Sequence, residues 1–119
     1  MQLIKINFEP PPQTAARHDP HVEIALYRVV QEALSNIAKH AGASAATVRL
    51  GQKDGTVSLV IEDDGKGFDL ETVHARKDVD RGLGLISMRE RSEDLGGKFR
   101  IESGPTKGTK IIVEFPVRQ

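Results

Sequence analysis

Residues 27–41 read YRVVQEALSNIAKHA and lie in a longer segment with helical periodicity. Apolar residues recur at spacings of three and four from Val22 to Ala41, which predicts an amphipathic helix of about five turns. They are Ala25, Leu26, Val29, Val30, Ala33, Leu34 and Ile37. Asp19-Pro20 is typical of a helix start, and Gly42 is typical of a C-terminal cap.

Two polar residues of this helix, Glu32 and Asn36, lie four positions apart and therefore share a face. Asparagine is a poor residue for a helix interior because its amide competes for backbone hydrogen bonds. A solvated stripe opposite the core explains the pair. The alternative is a stripe that faces phosphates, with Asn36 on Mg²⁺, Glu32 beside the nucleophile, and Lys39 and His40 on phosphate oxygens. The helix alone leaves both interpretations open.

The other segments alternate between strand and helix patterns. Period-two runs predict strands at 3–8, 47–50, 57–61, 99–101 and 110–115, with a hairpin turn at Asp54-Gly55. A second helix is expected over 83–95, stopped by Gly96-Gly97. The order β-α-β-β-loop-α-β-β predicts an α/β fold, a two-layer sandwich with a mixed sheet and helices on one face.

Two glycine-containing segments follow the long helix. Asp64-Gly65-Lys66-Gly67 ends a strand, so Asp64 is a candidate acceptor for an exocyclic amine such as that of adenine, although a plain turn also explains it. Gly82-Leu83-Gly84-Leu85 is expected to open the second helix, where free N–H groups attract an anion, although a plain cap also explains it. Neither segment matches an EF-hand, a Rossmann fingerprint or a Walker A loop. Together with the polar stripe, their order predicts a nucleotide pocket.

Composition excludes several classes of protein. The 119 residues fit one domain over 1–119, with a lead-in at 1–20. Seventeen basic and seventeen acidic residues balance, so neither nucleic acid nor an anionic membrane surface is an expected partner. The absence of cysteine excludes disulfides and thiolate metal sites.

The motifs resemble those of two-component sensor histidine kinases. Residues 27–41 look like the N-box, residues 64–68 like the G1 box and residues 82–85 like the G2 box. The run from Met88 to Gly97 resembles the nitrate-sensor and desaturase-regulator subfamily. This similarity covers 21–117 and implies the Bergerat ATP-binding fold, shared with gyrase and chaperone ATPases.

The resemblance implies ATP and Mg²⁺ as cofactors and assigns roles by position. These are catalysis for Glu32, Mg²⁺ binding for Asn36, phosphate contacts for Lys39 and His40, and adenine binding for Asp64, Gly65, Gly67 and Thr109. Gly82, Leu83, Gly84 and Leu85 are also implied to bind the nucleotide, and Gly82 and Gly84 border a lid at 69–81.

The resemblance also implies partners outside this segment. The phosphoacceptor histidine of the family lies on a separate dimerisation domain, and His18-Asp19 is not expected to replace it because Pro20 follows at once. The parent kinase is expected to signal to a response regulator with a helix-turn-helix output. This domain is expected to be cytoplasmic and monomeric without membrane contact, with the topology of the parent left open. An anti-sigma serine kinase, a chaperone or topoisomerase ATPase, and a non-catalytic nucleotide-binding module remain alternatives on the same fold.

Overall fold

The structure, a computed structural model, describes residues 4–11, 20–67, 79–104 and 107–116. The elements, in chain order, are β1 (Lys5–Glu9), α1 (Pro20–Asn36), a π-helical continuation (Ile37–Ala41), β2 (Ala45–Lys53), β3 (Thr56–Asp63), α2 (Val79–Asp94), β4 (Lys98–Ser103) and β5 (Thr109–Pro116). This order confirms the sequence prediction. None of the helices in these ranges is long and apolar enough to cross a membrane.

The five strands found in the described ranges form one sheet in the order β1-β2-β3-β5-β4. β1 runs parallel to β2, and the other neighbours are antiparallel, so the sheet is mixed as expected. Because side chains alternate along a strand, one face of the sheet carries the apolar positions and packs against α1 and α2. The core includes Val29, Ala33, Met88, Val48, Leu59, Ile61, Val113 and Phe115. Burying each large apolar side chain contributes about 1.5–3 kcal/mol, and this contribution stabilises the two-layer sandwich.

Two tight chain reversals have the backbone that their residues favour. Asp54 and Gly55 adopt φ of 52° and 77°, which fits the primed turn of a β-hairpin and confirms that prediction. Gly42 ends the π-helical continuation with φ 61°. The π-helical residues begin directly after Asn36, and such segments are often found at functional sites.

The second helix differs from its prediction at its N-terminus. α2 begins at Val79, so Gly82 and Gly84 lie within the helix and do not form a loop that opens it. Glycine costs about 1 kcal/mol in a helix interior, which is why the sequence favoured a loop here. Tertiary packing against α1 overrides that preference at Gly84. Of the lid expected at 69–81, residues 69–78 lie outside the described residues and 79–81 are helical.

Candidate active site

The polar pair of α1 lies against a glycine of α2. Glu32 and Asn36 are both half-buried, and Gly84 is buried. A Cβ placed on Gly84 would collide with a carboxylate oxygen of Glu32 and would lie 3.4 Å from Asn36 Nδ2. Asn36 has helical backbone angles and makes no side-chain capping bond, so its amide does not serve the helix end. The structure therefore brings together two of the three predicted motifs.

A narrow cleft runs from this contact to the ends of the central strands. Its walls come from α1, β3, α2, β4 and β5, and all three motifs contribute to it. The lining residues are Ala33, Asn36, Ile37, Ile61, Asp63, Gly67, Leu85, Ile101, Thr109 and Ile111. The cavity of about 30 Å³ holds a water molecule but not a purine base. A mostly apolar cleft with a few convergent polar groups is the usual form of a small-molecule site.

Two neighbouring aspartates at the end of β3 have different surroundings. Asp63 lines the cleft, and its Oδ1 accepts a 2.8 Å bond from the Gly65 amide. Asp64 is exposed, and its carboxylate accepts bonds from the Ser44 amide, the Ser44 hydroxyl and the Ala45 amide at 2.9, 2.6 and 3.0 Å. This placement differs from the expectation for Asp64: the cleft carboxylate is Asp63. The alternation of β3 contained the signal, because Asp63 shares the parity of the core residues Leu59 and Ile61.

Asp64 instead ties the end of β3 to the connection between the π-helical residues and β2. The Ser44 hydroxyl and the Ala45 amide stabilise the charged carboxylate, so the pKa of Asp64 is lowered from its ordinary value. The Asp64 amide completes the contact by donating to the Ala45 carbonyl at 3.2 Å. Asp64 therefore links the end of the strand that carries Asp63 to the segment that follows the π-helical residues.

The lowered pKa of Asp64 predicts an acid-dependent contribution to folding. A carboxyl group with a depressed folded pKa stabilises the native state above its unfolded pKa, and this stabilisation is lost as the pH falls through the folded value. We expect the parent to be more stable than Asp64→Asn at neutral pH, with the difference shrinking below about pH 5. Thermal unfolding of both proteins across this range measures the effect. Asp54→Asn, at an exposed turn, is the control; a pH-independent difference for Asp64→Asn would contradict the interpretation.

Hydroxyl groups from β4 and β5 complete the polar end of the cleft. Thr109 is the register partner of Asp63 across β3 and β5. Ser103 Oγ donates to the Gly108 carbonyl at 3.1 Å and lies 2.9 Å from Thr109 Oγ1. Since a hydroxyl has one proton, Thr109 is the donor to Ser103 in this arrangement. The remaining capacity of Thr109 Oγ1 is as an acceptor.

The glycine backbone of the turn after Asp63 packs directly against the backbone of the β4–β5 connection. Gly67 has φ 66°, and a Cβ on it would collide with the Gly104 carbonyl oxygen and lie 2.9 Å from the Gly108 carbonyl oxygen. Glycine is required here by both backbone angle and space. The predicted turn glycines therefore shape the cleft edge, and Gly65 is buried within the same turn.

The other predicted residues are only partly described. Lys39 is exposed on the π-helical segment beyond Asn36 and does not line the cleft, whereas Leu85 contributes an apolar wall. The side chains of His40 and Leu83 and the surroundings of Gly82 lie outside the described part of the chain.

Comparisons with known proteins agree with this fold. Residues 21–119 match the family described as histidine kinase-, DNA gyrase B-, and HSP90-like ATPase, and the chain belongs to this family. It is 42% identical over 101 residues to the signal transduction histidine-protein kinase/phosphatase DegS of Brevibacillus brevis, covering 85% of this chain and 25% of that protein. It is 44% identical over 96 residues to the sensor histidine kinase LiaS of Bacillus subtilis, covering 81% and 25%.

Solved structures extend the similarity to three dimensions. A mycobacterial sensor histidine kinase, MprB, superposes with a TM-score of 0.71 and 28% identity over 97% of this chain and 83% of that one. The chain spans about a quarter of the length of the curated relatives named above. Those relatives are therefore much longer than the segment compared.

Proposed function

We propose that this domain binds Mg-ATP and transfers the γ-phosphoryl group to a histidine on the dimerisation domain of a parent sensor kinase. The observation that carries the proposal is the convergence on one cleft of Asp63 from β3, Asn36 from α1 and the glycine segment of α2. The adenine amine would bind at the end of the cleft formed by Asp63 and Thr109, and the phosphates would bind at the end formed by Glu32 and Asn36.

The adenine-binding end of the cleft must provide hydrogen-bond acceptors for the exocyclic amine of the base. The Asp63 carboxylate accepts only, and Thr109 Oγ1 retains acceptor capacity while it donates to Ser103. The apolar side chains of Ile61, Ile101 and Ile111 would contact a purine ring, and because the cavity of about 30 Å³ is smaller than a base, adenine binding would require the cleft to widen. Asp63, and not Asp64, is therefore our candidate for adenine recognition.

The phosphate end requires oxygen ligands and charge neutralisation. Mg²⁺ is bound through one or two protein oxygens together with substrate phosphates and water, and the adjacent amide of Asn36 and carboxylate of Glu32 fit this requirement. Mg²⁺ bound there would neutralise charge on the phosphates. Asn36 would hold the cation, and Glu32 would orient the attacking imidazole or accept its proton. Catalysis would then consist mainly of positioning and electrostatic stabilisation.

The acceptor must come from outside this chain segment. The relatives named above are sensor kinases, which supports a histidine acceptor on the parent protein. A response regulator downstream and a cytoplasmic location follow from the same proposal. Lys39 and His40, on the π-helical segment beyond Asn36, remain candidates for phosphate contacts.

A transfer assay in trans tests the proposal. The domain is mixed with the isolated dimerisation domain of the parent kinase and γ-labelled ATP, with and without Mg²⁺. We expect Mg²⁺-dependent label that acid removes and base preserves, as for phosphohistidine. Glu32→Gln should lose labelling while it retains ATP binding by calorimetry. Acid-stable label on serine would support the anti-sigma kinase alternative, and ATP binding without any transfer would support a non-catalytic module.

A further inference from the structure

The edge strand β1 exposes apolar side chains that have no role in the function proposed above. Among the residues that the structure describes, β1 pairs only with β2, and all five of its residues are exposed. Ile6 and Phe8 are 45% and 58% exposed, although they lie on the face of the sheet that carries the helices. They border a groove that continues along α1 through Tyr27, Val30 and Leu34. An unpaired edge beside an apolar groove is a template for strand addition.

The backbone of β1 divides its hydrogen-bonding groups between two sides. The Lys5 amide donates to the Ser44 carbonyl at 2.9 Å, and Lys5 is the register partner of Ala45. Because these groups alternate along a strand, Lys5, Asn7 and Glu9 direct their N–H and C=O groups toward β2. Ile6 and Phe8 direct theirs toward the open edge. Within the described part of the chain, these two N–H donors and two C=O acceptors have no strand partner.

We propose that a second copy of this chain pairs with β1 in antiparallel orientation, about a two-fold axis that passes next to Asn7. In this register Ile6 lies opposite Phe8 of the second copy, and the two residues exchange both backbone hydrogen bonds. The symmetric pair repeats this arrangement, so four bonds form. An isologous contact of this kind closes as a dimer and extends no further.

Charge selects this register over its competitors. Lys5 lies opposite Glu9 of the second copy at both ends of the paired strands, which is a favourable cross-strand pair. A parallel arrangement would oppose Lys5 with Lys5 and Glu9 with Glu9. A shift by two residues would lose both charge pairs, and Pro10 lacks the amide needed to extend the pairing beyond Phe8. Arg49 contacts Glu9 Oε2 at 3.1 Å, and the carboxylate has a second oxygen for the partner's lysine.

The apolar groove adds to this pairing. Ile6 and Phe8 of the two copies would form one strip, bordered on each side by an α1 helix with an exposed Tyr27. Five residues on each strand make a contact well below the roughly 20–30 residues a side of a stable complex. The association is therefore weak and concentration-dependent, which revises the expectation of a monomer.

Charge-swapped variants test the register in sedimentation equilibrium on the whole chain. The parent is expected to shift from the mass of one chain toward two as concentration rises. Lys5→Glu and Glu9→Lys each oppose like charges, so each alone should stay monomeric at concentrations where the parent associates. An equimolar mixture of the two variants restores opposite charges at both ends and should associate again. Failure of the mixture to recover, or a parent that is monomeric throughout, overturns the proposal.

Three further variants separate this edge from other exposed surfaces. Ile86, which is 53% exposed on α2, provides the matched control, and Ile86→Lys should associate like the parent while Ile6→Lys should not. Phe8→Pro removes an outward amide and leaves the ladder to β2 intact, so it should fold, by circular dichroism, and remain monomeric. Association that survives Ile6→Lys and Phe8→Pro but is lost in Ile86→Lys would assign the interface to α2 and refute the proposal.

Discussion

Asp63→Asn is expected to weaken ATP binding by about 100-fold, whereas Asp64→Asn retains an affinity near that of the parent. A hydrogen bond to a charged group contributes about 1.5–3 kcal/mol, which corresponds to roughly 10- to 150-fold in affinity. Asparagine also presents an NH₂ group that opposes the adenine amine. Asp63 lines the cleft, whereas the Asp64 carboxylate is engaged with Ser44 and Ala45 outside it.

Isothermal titration of both variants with ATP measures the difference, and thermal unfolding verifies that each is folded. A triphosphate of purine riboside, which lacks the exocyclic amine, sharpens the test. The parent should discriminate against this analogue, and Asp63→Asn should lose most of that discrimination. The opposite pattern, with Asp64→Asn impaired and Asp63→Asn unaffected, would restore the assignment made from the sequence motif alone.

The choice between Asp63 and Asp64 as the cleft carboxylate shows how far local pattern reasoning reaches. The sequence located the aspartate pair, the turn and the strand that precedes it. Choosing between Asp63 and Asp64 required extending the parity of Leu59 and Ile61 by one step, because a shift of one residue reverses the face of a strand. Within the described residues, periodicity was sufficient to locate two helices, five strands and the Asp54-Gly55 hairpin because each has a strong local signal.

The features that the sequence did not predict depend on tertiary contacts. Gly82 and Gly84 favour a loop by propensity, yet α2 extends through them and packs Gly84 against Glu32 of α1. The π-helical turn after Asn36 and the bond between Ser103 and Thr109 also depend on neighbouring elements. Intrinsic helix propensity predicts poorly where a close contact between two helix backbones stabilises the structure.

The polar face of α1 provides the second large expected effect. Asn36→Ala is expected to reduce histidine labelling in trans by about 100- to 1000-fold, the usual cost of removing one group that stabilises charge in a transition state. Of the described α1 residues that line the cleft, Asn36 alone carries a side-chain amide oxygen, and the substitution removes it. The fold should survive, because alanine has a higher helix propensity than asparagine and the side chain it replaces is only half-buried.

The decisive measurement compares ATP affinity with Mg²⁺ and with EDTA. If Asn36 holds the cation, Asn36→Ala removes most of the Mg²⁺-dependent gain in affinity and leaves binding in EDTA unchanged. Asn36→Asp keeps an oxygen ligand and should retain part of that gain. Gln31→Ala is the control on the same helix, since Gln31 is exposed and bonds Tyr27 and Arg28 away from the cleft. A full Mg²⁺-dependent gain in Asn36→Ala would exclude Asn36 as the ligand and leave the Glu32 carboxylate as the cation-binding group of α1.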